Sequence, residues 1–154
     1  MAKAKLDENL VAESIREIIE RLQVPATIEV SRQDSIFFVD IDSEDSSLLI
    51  GRHGVNLESL QFILAVRIKT LTGDDDFEIY VDVGGWRKKK DEKLKQMALD
   101  AAQRVASENE PQEIYNLTNS ERRVIHVALA DHPSVETISE GEGENRHIIV
   151  KPRS

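Results

Sequence analysis

Apolar residues recur along the chain with two periods, and the change from one to the other marks out the elements. Val11, Ile15, Ile18 and Leu22 fall at helical spacing on one face, and Pro25 closes that helix. Two strand-like runs follow, Ala26–Ser31 and Ser35–Asp42. In the second, Phe37, Val39 and Ile41 alternate with Ile36, Phe38 and Asp40, and Arg32-Gln33-Asp34 is short enough for a hairpin link. Leu57, Leu60, Leu64, Ile68 and Leu71 predict a helix of about four turns. Gly73 and Asp74–Asp76 break it before a third strand, Phe77–Val83. Gly84-Gly85 then punctuates the chain. Beyond it, Trp86–Ser107 reads as a helix with a core stripe through Leu94, Met97, Ala101 and Val105, and Pro111 opens a short strand, Gln112–Leu117. Thr118, Asn119 and Ser120 offer N-cap oxygens to a helix over Glu121–Asp131. Val135–Ser139 and Arg146–Lys151 alternate like paired strands around a Gly141–Asn145 turn. The pattern predicts an α+β protein of two small units, α-β-β-α-α-β over residues 1–84 and α-β-α-β-β with a three-stranded sheet over residues 85–154.

Composition narrows the chemistry. Without cysteine there are no disulfides, thiolate metal sites or cysteine nucleophiles. No apolar run approaches the roughly 20 residues that span a bilayer. A polar amphipathic stretch stands where a signal peptide would need an apolar core, so a cytoplasmic protein is expected. The net charge of −9 is unevenly placed: residues 1–83 hold 8 basic and 17 acidic side chains, residues 84–154 hold 12 of each. Six basic side chains against two acidic ones lie within Gly84–Lys95. Such local patches, rather than the total, decide what docks. Arg87, Lys88, Lys89 and Lys90 also open a helix, the unfavourable end for cations in its dipole, which hints at an anionic visitor.

Two motifs carry candidate chemistry. Gly51-Arg52-His53-Gly54 lies between helical segments, where two glycines allow a tight turn and close approach of a ligand to the backbone, and where the next helix offers N–H groups suited to phosphate. Arg122 and His126 are four residues apart, hence on one helix face, and combine a planar fork for phosphate with a ring that donates or stacks. Trp86 is read mainly as packing, and Asp74–Asp76 as a solvated turn. No zinc-type histidine pair, Walker loop or nucleophile context is present, so neither enzyme nor cofactor nor metal site is expected.

Ile50-Gly51-Arg52-His53-Gly54-Val55-Asn56-Leu57 resembles the I-G-x-x-G-x-x-I signature of KH domains, in the type II element order. The resemblance implies that Gly51, Arg52, His53 and Gly54 clamp the backbone of about four unpaired nucleotides beside a groove formed by Ile50, Val55 and the edge of the Ser35–Asp42 strand. Asn119–His126, with Glu136–Gly141 and Arg146–Val150, resembles the Arg-x-x-x-His (R-3-H) domain of single-stranded nucleic-acid binders, whose Arg and His are exposed together. The succession of the two is similar to the bacterial Jag (SpoIIIJ-associated) family, here without the extra N-terminal domain of longer members. What it implies is a non-enzymatic binder of single-stranded RNA, with DNA not distinguished. Arg122 and His126 would hold phosphates, helped by Arg123, Arg146 and Arg87–Lys90. The rival expectation is an assembly protein that pairs with itself or with a small KH protein.

Overall fold

The structure, a computed structural model, describes residues 2–154. They form two compact units that divide between Arg87 and Lys88.

In the first unit the order is α1 (Glu8–Arg21), β1 (Thr27–Gln33), β2 (Ile36–Asp42), α2 (Ser46–Ile50), a 3-10 turn (Arg52–Gly54), α3 (Val55–Thr72) and β3 (Glu78–Val83). Asp7 caps α1 by accepting the Leu10 N–H at 2.9 Å, which satisfies one of the donors that a helix start leaves without a partner. The sheet order is β1-β2-β3. β1 runs antiparallel to β2 with Val30 opposite Val39, and β2 parallel to β3 with Val39 opposite Val81. Alternation in β2 sends Phe37, Val39 and Ile41 into a core shared with Val11 and Ile15 of α1 and with Leu57, Leu64 and Ile68 of α3.

Three details differ from the pattern-based expectation. β1 continues to Gln33, so the hairpin turns at Asp34-Ser35, where Asp34 takes φ 55° and its carbonyl accepts from Arg32 Nε at 2.8 Å. Leu22 lies just past the end of α1 and is exposed. Thr72, not Leu71, completes the buried face of α3, its hydroxyl satisfied by the Ile68 carbonyl.

α4 (Trp86–Glu108) starts in the first unit and continues into the second, followed by β4 (Gln112–Ile114), α5 (Asn119–Leu129), β5 (Val135–Glu140), a 3-10 turn (Gly143–Asn145) and β6 (His147–Pro152). β6 is central and antiparallel to both neighbours, in the order β4-β6-β5. Ala98, Ala101 and Ala102 give α4 a slim buried side that joins Leu94, Val105, Ile125, Leu129, Ile148 and Val150 in the second core, while Met97 is only partly buried. β4 is shorter than expected because Asn116 adopts φ 59°, outside strand angles. α5 lies about two residues earlier than expected because its cap is Thr118. The Thr118 hydroxyl accepts the Glu121 N–H at 3.2 Å and the Glu121 carboxylate accepts the Thr118 N–H at 2.8 Å, a reciprocal capping box.

Candidate nucleic-acid interface

The Gly51–Gly54 loop is shaped by its backbone. Gly51 takes φ 72°, ψ −178°, a region open almost only to glycine. A Cβ there would come within 2.6 Å of Asn56 Cγ, whose amide is fixed by donating to the Leu48 carbonyl at 2.9 Å. Gly54 takes φ 79°, and a Cβ on it would collide with the Trp86 ring. Trp86 thus seats itself on the buried Gly54, and the ring read in the sequence as packing is partly buried against the first core. Arg52 is exposed at the tip, His53 and Ile50 are half-buried, and Val55 is exposed at the start of α3. No side chain among the described residues caps α3, whose first turn contains Glu58.

The basic run at the start of α4 separates by role. Arg87 donates from Nε to the Val81 carbonyl at 2.9 Å and from Nη2 to Gln61 Oε1 at 3.0 Å, and its guanidinium lies 4.8 Å from the Tyr80 ring centre. Lys90 pairs with the buried Glu121 carboxylate at 2.9 Å. Both cations therefore brace their own units, while Lys88 and Lys89 are exposed.

The second unit brings Arg122, Arg123 and His126 of α5 together with Arg146 around an open cleft of about 330 Å³. Thr137 and Ser139 of β5 and Asn119 line it as well. The sequence marks none of the three as a binding residue, and Asn119 only as a candidate N-cap. Asn119 stands three residues before Arg122, on the same helix face. Thr137 and Ser139 alternate onto one face of β5.

The expectation that Arg122 and His126 are exposed together holds for His126 alone. Arg122 is only 7% exposed. Its Nη1 donates to the Leu117 carbonyl at 2.7 Å and makes a longer 3.5 Å contact with the Arg146 carbonyl, and its Nη2 donates to Asn119 Oδ1. All three acceptors are neutral, and among the described residues no carboxylate pairs with this buried cation. A buried charge without a counter-charge is costly, and a phosphate at the cleft would supply one with bidentate geometry. His126 Nδ1 is hydrogen-bonded to the Thr137 hydroxyl. With that hydroxyl donating, the ring proton sits on Nε2; in the imidazolium, both nitrogens donate. Both of these states present an Nε2–H to an anion, whereas the neutral Nδ1–H tautomer, donating to Thr137, presents Nε2 as an acceptor. Arg146 is exposed and steadied by donating to the Gly141 carbonyl at 2.9 Å.

Elsewhere the second unit is less suited to anions. The Tyr115 and His147 rings stack 4.2 Å apart, but the Tyr115 hydroxyl donates to Glu113 at 3.0 Å, a bond to a carboxylate that raises the phenol pKa from its ordinary value. No helix is long and apolar enough to cross a membrane, and no cluster of three or more His, Asp or Glu side chains could hold a metal ion, both among the described residues.

The cleft residues lie within a stretch that matches a known domain. Residues 92–152 match the R-3-H domain. Over 154 residues the chain is 27% identical to the RNA-binding protein KhpB of Clostridium symbiosum, covering 96% of this chain and 68% of that protein. It is 28% identical to the RNA-binding protein KhpB of Bacillus subtilis (88% and 66%) and 28% identical to that of Streptococcus pneumoniae D39 (88% and 41%). The chain thus spans about two thirds of the first two relatives and less than half of the third. It contains an R-3-H domain and is homologous to the KhpB proteins.

Proposed function

We propose that this protein binds single-stranded RNA, without catalysing a reaction, through two places on one chain. The observation that carries the reading is the buried Arg122 guanidinium, held only by neutral oxygens at a cleft that it shares with Arg123, His126 and Arg146. In this reading a backbone phosphate is the missing counter-charge. Arg122 fixes its position, and His126 Nε2 and the exposed Arg123 and Arg146 complete the cradle. The second place is the Gly51–Gly54 loop with Arg52 and His53 at its tip. The order α-β-β-α-α-β, the glycine-only angles of Gly51 and the exposed Val55 beside half-buried Ile50 support reading residues 1–84 as a type II KH domain and residues 85–154 as the R-3-H unit. Of the basic run, the exposed Lys88 and Lys89 are the members proposed to help. The RNA-binding names of the homologues favour RNA; a cytoplasmic, post-transcriptional role is part of the proposal.

One observation favours a second reading, assembly. α3 turns Val55, Phe62, Ile63 and Val66 to solvent, and Phe62 is 70% exposed. Residues 55, 62 and 66 share one helix face. A second copy or a small KH protein would cover that stripe, and Phe62→Asp/Val66→Asp would then turn a dimer into a monomer in sedimentation.

The RNA reading is tested by filter binding of a short unpaired RNA against the same sequence in a duplex. Retention of the single strand alone is expected. Equal retention of both, or of neither, contradicts it.

A further inference from the structure

Beside the phosphate cleft, α4 and α5 leave a second and larger hollow of about 580 Å³ that the RNA reading above does not use. Its floor is aliphatic, from Leu99 of α4 and Val124 and Val127 of α5, and its rim carries Asp91, Lys95 and Arg123. Leu99 is 49% and Val127 65% exposed, a large solvent contact for aliphatic side chains on a unit with so small a core. Arg123 also lines the Arg122 cleft, so one guanidinium forms a wall common to both.

We propose that this hollow receives an unstacked base of the strand whose phosphate lies at Arg122 and His126, which makes it the base subsite of the R-3-H unit. The inference rests on the phosphate reading of the cleft. A nucleotide is anionic at one end and flat and apolar at the other, and the pair of sites has that same division. The cations surround the cleft, the aliphatic surface lines the hollow, and Asp91 on the rim repels a phosphate from the hollow while offering an acceptor to base amino groups. Arg123 turns a planar guanidinium to both, able to pair with a phosphate and to stack on a base. The lining spans residues 91–99 on α4 and 120–128 on α5, which at about 1.5 Å rise per residue is roughly 12 Å, room for one or two bases.

The test uses the whole chain with methyl-labelled Leu and Val, titrated with a short single-stranded RNA and with an abasic strand of equal length. The Leu99, Val124 and Val127 methyl signals are expected to move with the RNA and not with the abasic strand. Leu99→Ser/Val127→Ser, at two exposed positions that tolerate polar side chains, is expected to weaken RNA binding about tenfold, the worth of one seated base, and to leave the affinity of the abasic strand unchanged. Equal methyl shifts with both strands, or full RNA affinity in the double variant, would overturn the base subsite. Abasic-strand affinity that ignores His126→Ala/Arg146→Ala would instead overturn the phosphate reading beneath it.

Discussion

Arg122 and His126 share a helix face, yet they stand in opposite environments, and substitution should separate their roles. Arg122→Ala strands the half-buried Leu117 carbonyl and removes the grip on Asn119, so it should cost about 1–3 kcal/mol of folding stability as well as RNA affinity. His126 is exposed, so His126→Ala should stay within about 0.5 kcal/mol of the wild type in denaturant unfolding. Its RNA affinity should still drop on the order of tenfold, as for one lost charge-assisted hydrogen bond. Equal stability of the two variants contradicts this assignment. In the first unit, Gly54→Ala combines a left-handed backbone angle with a collision against Trp86. It should destabilise by more than about 1 kcal/mol and shift the emission of Trp86, the single tryptophan of the chain. Unchanged fluorescence would mean that the ring does not rest on the loop.

At the scale of the element, α5 presents the cleft, and its first turn sets where Arg122 sits. Thr118→Ala removes one half of the capping box and should cost about 1 kcal/mol. RNA affinity should fall with it, and Thr118→Ser should restore both. Loss of stability with affinity intact would show that the cap does not position Arg122. The same element shows what a sequence reader can and cannot see. The spacing of Arg122 and His126 declared a shared face, and the alternation of Phe37, Val39 and Ile41 declared a buried one, because both follow from backbone period alone. That Arg122 is buried did not follow, since it depends on the Leu117 and Arg146 carbonyls, the second of them 24 residues away. The basic run at the start of α4 reads as one patch, but Arg87 is drawn to Val81 and Gln61 and Lys90 to Glu121, partners that no local spacing reveals. Thr137 and Ser139 were overlooked because a hydroxyl becomes a site residue only when folding places it opposite an arginine.

For the whole molecule, the question is how a chain of net charge −9 binds a polyanion. The acidic excess lies in residues 1–83, while residues 84–154 balance to zero. Attraction must therefore come from local cradles rather than a general positive field. Two such cradles on one chain raise each other's effective concentration. Few phosphates are then neutralised, and log affinity should fall against log salt with a slope of roughly −1.4 to −3.5, for two to five contacts on a single strand. The most direct measurement is fluorescence anisotropy of a labelled single-stranded RNA at two salt concentrations, for the wild type, Arg52→Asp/His53→Asp and His126→Ala/Arg146→Ala, each first checked for folding. The account predicts salt-sensitive binding that each pair weakens and that loses part of its salt slope in each. Folded wild-type protein that leaves the RNA unbound at high micromolar concentration, or binding indifferent to both pairs, would contradict it.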